Sequence, residues 1–326
     1  MIHIKRLLLL FLFTFLTANI SWAEIRKERE EVIIARFDKD LLEYLDAPSS
    51  ETGKGLTQKY SIFLPAFAQT IVRNEQNNTL DELSRYFSHP TLKNLYRNAV
   101  AQYNDMSSYE HELSAMLKIA QSELATKRFP NFSVHVSGYR QNVIYINNAI
   151  SLSIDKYLGL DYSGYKGFFD GYQLYQMQPK MLVRDFTKAW LIADFIKAEK
   201  QSPNLLSKMI EEGKLLYALS VLLPDYAEND IIGTTSAEVQ KAEDNEDRVW
   251  KTIVKGKQLY ATDLQIISSY FDEVPKKLSL GEQPMRMGAW IGYQIVKQYS
   301  KNSKQSLSTI LRTEPQTILK EAKYKP

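Results

Sequence analysis

The sequence predicts a mainly helical α+β protein with one small antiparallel sheet. Three observations lead there. Long stretches repeat apolar residues at helical spacing, with Ser/Thr-x-x-Glu starts at Thr79–Glu82, Ser107–Glu110 and Thr235–Glu238. One region alone, Phe132–Tyr157, alternates apolar and polar residues at the strand period of two. The chain has 326 residues, 44% of them hydrophobic, and a formal net charge of +3, a globular composition with length enough for a sizeable core.

The first 23 residues read apart from the fold. Lys5 and Arg6 precede LLLLFLFTFL, and Ser21-Trp22-Ala23 supplies small residues before a cut, the pattern of a secretory signal cleaved after Ala23. Its apolar core is shorter than the about 20 residues of a membrane span. Residues 24–326 are then expected to form one domain with no transmembrane helix, placed in the periplasm or on the periplasmic face of the envelope. Losing Lys5 and Arg6 leaves a net charge of about +1, which gives no support to nucleic-acid binding. The absence of cysteine excludes disulfides, thiol catalysis, Cys-based zinc and a lipid anchor on an N-terminal Cys.

In chain order, EVIIARF is a strand, and Asp38 stands where it caps the helix DKDLLEYL. Ala47–Leu56, rich in Pro, Ser and Gly, reads as a loop. Lys59–Val72 is a helix interrupted or started by Pro65. The helix from Ser107 runs through Leu113, Met116, Leu117, Ala120 and Leu124 and stops before Pro130. SVHVSG, NVIYIN and AISLSID are three short strands, with Gly138 turning between the first two. Leu158–Gln178 holds four glycines and six aromatic residues, a structured loop where a site is often shaped, or a tyrosine-rich surface.

Pro179 opens a helix from Met181 to about Lys200 whose apolar face, Leu182, Phe186, Ala189, Ile192, Ala193 and Ile196, also carries Asp185. In Leu205–Leu219, a turn of about 100° per residue gathers Leu205, Met209, Ile210, Leu216 and Tyr217 into a stripe. Gly213 lies near the centre of that stripe and Glu212 at its edge. Glycine costs a helix interior about 1 kcal/mol relative to alanine, so close approach of another element is expected there. Pro224 closes this helix. Thr235 starts another to about Tyr260, with Val239, Trp250, Ile253 and Val254 on one face beside Glu243 and Glu246. Pro284 opens the last long helix, whose Gly288 and Gly292 are spaced to admit a neighbouring backbone.

Four histidines exist, His3, His89, His111 and His135, and no two are spaced as metal ligands on one helix. HExxH, GxSxG and phosphate-binding glycine loops are absent. His111 is expected to face solvent and His135 to pack in its strand. Three carboxylates remain as candidate site residues: Asp185, Glu212 and Glu246, all on or beside apolar helix faces. A buried carboxylate costs free energy unless paired or hydrogen-bonded. Arg, Tyr or backbone groups satisfy such residues in most settings. Two of them close together would instead serve as acid and base, or hold a hard cation. No cofactor and no metal site is expected.

FPNFSVHVSGYRQNVIYINNAISLSIDKYLGLDY, MIEEGKLLYALSVLLPD, NEDRVW, PMRMGAWIGYQIVKQY and the terminal KYKP occur in that order. With Arg36-Phe37-Asp38 they resemble the GldB family of gliding-motility lipoproteins of Bacteroidetes over nearly all of the chain. The resemblance implies a non-enzymatic envelope protein that binds or helps assemble other envelope, motility or secretion components. The family's anchoring Cys after the leader is missing here, which is a departure. More distantly, a short sheet, a helix and then a helix bearing Glu-Gly is similar to zinc peptidases of the HExxH-plus-Glu kind. On that likeness Asp185 and Ala189 stand for the two His ligands, Phe186 for the base, and Glu212 keeps the third-ligand place. The zinc site is then dismantled and the zincin-like scaffold retained. Two rival functions follow from the residues. One is a hydrolase using Asp185, Glu212 or Glu246, with or without another cation. The other is a periplasmic small-ligand or glycan-binding protein using the aromatic loop Tyr162–Tyr175.

Overall fold

The computed structural model describes residues 31–73, 78–196, 203–272 and 286–326, and the backbone of 277–278 and 281–282. The expected leader, its cleavage point after Ala23 and the helix-opening Pro284 lie outside the described residues.

The main sheet is built from β1 (Ile34–Arg36), β2 (Asn131–His135), β3 (Val143–Ile146) and β4 (Ala149–Ser153), in the order β1-β2-β4-β3. It is mixed, not antiparallel as expected: β1 runs parallel to β2, β2 parallel to β4, and only β3 is antiparallel to β4. The reason is connectivity. The chain leaves β1 through helices α1 (Phe37–Asp46), α2 (Ser50–Lys59), α3 (Phe63–Val72), α4 (Thr79–Phe87), α5 (Pro90–Gln102) and α6 (Ser107–Glu123). Long helical crossovers deliver parallel strands. Asn147 and Asn148, both at positive φ (48° and 61°), then make the tight β3–β4 hairpin. That hairpin places β4 between β2 and β3, so Gly138 (φ +67°) is a turn but does not join two paired strands. Buried on both faces, β2 and β4 bury four of five residues each.

Several local expectations shift. Ala47–Leu56 is largely helix, not loop: Ser49 and Thr52 close a reciprocal capping box and start α2. Gly53 faces Tyr44 and Leu80, where an added Cβ would stand 3.2 Å from each ring or methyl carbon. Asp38 does not cap. The first helix begins at Phe37, and Asp38 is buried in an ion pair with Arg36 at 2.6 Å. Thr79 and Ser107 are the first residues of their helices, after Asn78 and Met106, and make no cap; Thr235 does accept the Glu238 N–H.

The second half is helical: α7 (Gly171–Gln176), α8 (Met181–Asp194), α9 (Leu205–Leu222), α10 (Glu228–Ile232), α11 (Ser236–Lys255), α12 (Leu264–Ser269), α13 (Met287–Ser303), α14 (Leu307–Arg312) and α15 (Pro315–Ala322). A two-stranded ribbon, β5 (Lys277–Leu278) and β6 (Gly281–Glu282), lies between α12 and α13. The eighth helix ends before the expected Lys200, because Asp194 turns back to accept the Trp190 indole N–H and Phe195 packs edge-on against that ring. Gly256 and then Lys257, at φ +54°, stop α11 before Tyr260, and Glu243 and Val254 of that helix are exposed.

The ninth helix is not the one-sided element its stripe suggested. Leu205, Leu206, Met209 and Ile210 enter one apolar cluster with α11, α13 and α15. Leu215, Leu216, Ala218, Leu219 and Leu222 enter the other, built around the sheet. Apolar almost all round, α9 is the beam between the two clusters. Its most extensive partner is α13. Gly213 meets the backbone of Gly292 and Tyr293 there, and Gly292 meets the carbonyl of Met209, so each helix presents bare backbone to the other.

Candidate functional site

The eighth helix lies on the sheet through Phe186, which packs edge-on against Phe132, and Trp190, which packs on Phe129. Anchoring those two rings turns the opposite edge of the helix, Arg184, Asp185 and Lys188, toward α9 and α10. The expected register is therefore corrected by one residue. The i, i+4 pair flanking Asp185 is Arg184 and Lys188, not Asp185 and Ala189, and Phe186 is core.

Arg184 is 1% exposed and ties α8 to the end of α10. Its Nη1 donates to Asp185 at 2.6 Å, and Nη2 donates to the carbonyls of Ile231 and Ile232 at 2.9 and 3.2 Å. Those carbonyls are freed by the end of the short α10, where Gly233 (φ +84°) leaves the helix. A side chain at Gly233 would stand 2.9 Å from the guanidinium, so glycine is needed there for both backbone and space. The other Asp185 oxygen accepts from Tyr157 at 2.9 Å, and Tyr157 in turn accepts from Asn142.

On α9, Glu212 faces the same region. One oxygen is 3.1 Å from Nη2 of Arg286, at the start of α13, and the other is 3.2 Å from Lys208. Burial raises its pKa, but the Arg286 and Lys208 charges outweigh burial and hold the carboxyl below its ordinary 4.5. Lys188 lies in the field of Asp185 and Glu212 as well as of Arg184 and Arg286. Burial, then the Arg184 charge, push its ammonium down from 10.5 to about 8. Two of the three candidate carboxylates thus share one charged cluster.

Glu246 lies elsewhere. Its oxygens accept from the Trp290 indole at 2.7 Å and the Tyr324 hydroxyl at 2.6 Å, tying the C-terminal segment to α11 and α13. Tyr324 also packs edge-on against Trp250. His135 is fully buried between Ser151 and the Gln141 carbonyl, and burial pushes its pKa to about 4. His89 and His111 are exposed. In the aromatic loop, Tyr162 and Phe169 pack edge-on against Tyr165, and Tyr139 from the turn before β3 packs against Tyr165 and Phe169, so these rings serve packing.

Concavities among the described residues include the following two. A small cavity of about 40 Å³ lies between α7, the α10–α11 turn and the start of α13, with Arg286, Gly233, Thr234 and Trp290 in its wall. An open groove of about 940 Å³ runs over α2 to α4 and is rich in hydroxyl and amide groups, including Ser49, Thr57, Ser61 and Asn78.

Chemically, the cluster is a set of ion pairs. Asp185 and Glu212 each already hold a guanidinium, and a cation brought to them would meet Arg184, Lys188 and Arg286 as like charges. Among the described residues no three His, Asp or Glu side chains gather as metal ligands, and no helix is long and apolar enough to cross a membrane. Sequence reasoning missed Arg184, Lys188, Lys208 and Arg286. The available signal was the spacing of Arg184, Asp185 and Lys188 on an otherwise apolar helix.

No curated protein and no solved structure matches this chain. A family profile described as gliding motility protein GldB matches residues 19–326, so sheet, charged cluster and C-terminal helices all fall within one family's sequence pattern. The chain belongs to the GldB gliding-motility family.

Proposed function

We propose that this protein acts without catalysis, binding or helping to assemble other components of the cell envelope that serve motility or secretion. The observation that carries this reading is the commitment of Asp185 and Glu212 to Arg184, Arg286 and Lys208 within a chain that matches the family from residue 19 to its last residue. Carboxylates held by guanidinium groups are poor general bases, since the paired charge favours the ionised, already-satisfied form. Export across the inner membrane, with the leader cut after Ala23, is part of the same reading.

Crosslinking in intact cells followed by purification of the tagged protein tests the role, with deletion of its gene in parallel. Specific recovery of a motility or secretion component, and a motility or secretion defect in the deletion strain, is expected. A deletion strain with normal envelope, motility and secretion would refute it.

A further inference from the structure

Large apolar side chains are exposed together at one corner, where α11 ends and α12 begins. Leu264 is 73% exposed, more than any other large apolar side chain among the described residues, and Tyr260 and Val254 stand at 57% and 49%. A single exposed apolar residue needs no explanation, but three within the stretch 254–264 mark a surface that something covers.

The local structure turns them outward. Val249 and Ile253 take the buried side of α11, which leaves Val254 outside, and Lys257 at φ +54° ends that helix's run. The first N–H groups of α9 then hold the turn: Leu205 donates to the Ala261 carbonyl at 3.0 Å and Leu206 to the Leu259 carbonyl at 2.9 Å. Leu259 packs on the C-terminal cluster, and Tyr260, between the two anchored residues, stands out. Asp263 caps α12 by accepting from the Gln265 and Ile266 N–H groups, and Ile267 supplies that helix's buried side chain, so Leu264 overhangs at its first position.

The corner is also basic. From Arg248 to Leu264 the chain carries four cations, Arg248, Lys251, Lys255 and Lys257, against one acid, Asp263, whose carboxylate is engaged in its cap. Lys251 is paired with Asp247 at 2.8 Å, whereas Lys255 and Lys257 are exposed and form no ion pair among the described residues. Apolar side chains projecting from a turn flanked by free ammonium groups match an anionic bilayer: the apolar groups enter the boundary between headgroups and acyl chains, and the lysines meet lipid phosphates. A protein partner matches less well, since a stable protein interface takes about 20–30 residues a side and this corner offers far fewer.

We propose that this corner docks the folded protein on an anionic membrane surface, with Val254, Tyr260 and Leu264 entering the interface and Lys255 and Lys257 contacting lipid phosphates. The inference goes beyond the assembly role and does not depend on it.

The chain has no cysteine, so single sites can carry a polarity-sensitive dye without interference. Dye-labelled Leu264→Cys, mixed with vesicles of equal parts phosphatidylglycerol and phosphatidylcholine, should give blue-shifted and brighter emission, and little change with pure phosphatidylcholine. Dye-labelled Ser50→Cys, on the exposed start of α2, should respond to neither. In sedimentation of the unlabelled protein with the anionic vesicles, Tyr260→Ser should weaken binding about tenfold. Lys255→Gln and Lys257→Gln should each weaken it about fivefold. These side chains are exposed, so the variants should keep the wild-type thermal midpoint. A dye at position 264 that is unchanged by anionic vesicles, equally bright on pure phosphatidylcholine, or matched by the dye at position 50 would overturn the proposal. So would binding weakened in the lysine variants but unchanged in Tyr260→Ser, the mark of unspecific charge attraction. Photocrosslinking from position 264 in cells that yields a protein adduct in place of lipid would overturn it too.

Discussion

Replacing Gly213 by alanine sets two opposing effects against each other at the crossing of α9 and α13. The methyl group would land 2.8 Å from the Tyr293 nitrogen and closer still to the Gly292 carbonyl. Carbon contacts are comfortable at about 3.5–4.0 Å, so the helices must separate by roughly 1 Å. No rotamer relieves the clash, because Cβ is fixed by its own backbone and the atoms it meets are backbone too. Against this, alanine gains about 1 kcal/mol of helix propensity. Overpacking costs about 1–3 kcal/mol, and a wall of buried helix backbone belongs at the upper end, or beyond it. The net expectation is a loss of about 2 kcal/mol, or a thermal midpoint lower by roughly 3 °C in a chain of this size. Gly292→Ala should cost at least as much, since its methyl would meet the Met209 carbonyl. The double variant should lose less than the sum of the two, because one separation relieves both clashes. Urea denaturation followed by far-UV circular dichroism measures all three. A Gly213→Ala protein as stable as the wild type, or more so, would refute the close contact.

Three further outcomes concern charge. Because Glu212 is held below 4.5 in the folded protein, its stabilisation is complete above that value and is lost as pH falls through the folded value. Glu212→Gln should therefore be destabilised at neutral pH by denaturant titration, with the gap to wild type closing as pH falls below the ordinary 4.5; a gap independent of pH contradicts the pairing. His135 titrates near 4 when folded and near 6.5 when unfolded, so between those values the unfolded chain binds a proton that the folded one refuses. Stability should fall across that window by up to about 3 kcal/mol as pH drops, and the slope should shrink in a folded His135→Gln variant. Lys188, pushed from 10.5 to about 8, weakens the fold most below pH 8 and progressively less up to 10.5. Lys188→Met should thus be more stable than wild type at pH 7, with the advantage gone above pH 10.5; a less stable variant at pH 7 would contradict the unpartnered ammonium.

The sequence revealed what is local and hid what is brought together. Helices α6, α8 and α9 and strands β2 to β4 were legible because each repeats its own period within one segment. Gly213 was legible because a glycine amid helix-forming residues carries a cost that only a neighbour explains, and Gly292 proved to be that neighbour. The polarity of the sheet was not legible, since it depends on where a crossover of six helices returns the chain. The second helix was missed because Pro48, Gly53 and Gly55 read as loop, although Ser49 and Thr52 were a capping pair in plain sight. Glu212 was placed at the edge of its helix, but Arg286 lies 74 residues further on. Arg184 was passed over because long cationic side chains ordinarily reach out to solvent. Here two backbone carbonyls of the α10 turn hold it inside.

Whether Asp185 and Glu212 hold structure or do chemistry is tested most directly in the native host. The chromosomal gene would be replaced by versions encoding Asp185→Asn or Glu212→Gln, expression adjusted until envelope levels of the protein match the wild type, and motility and secretion measured. If the carboxylates act through their ion pairs alone, matched amounts of folded protein should restore wild-type motility and secretion. Loss of either function at wild-type levels of folded protein, from Glu212→Gln or Asp185→Asn, would contradict the non-catalytic reading.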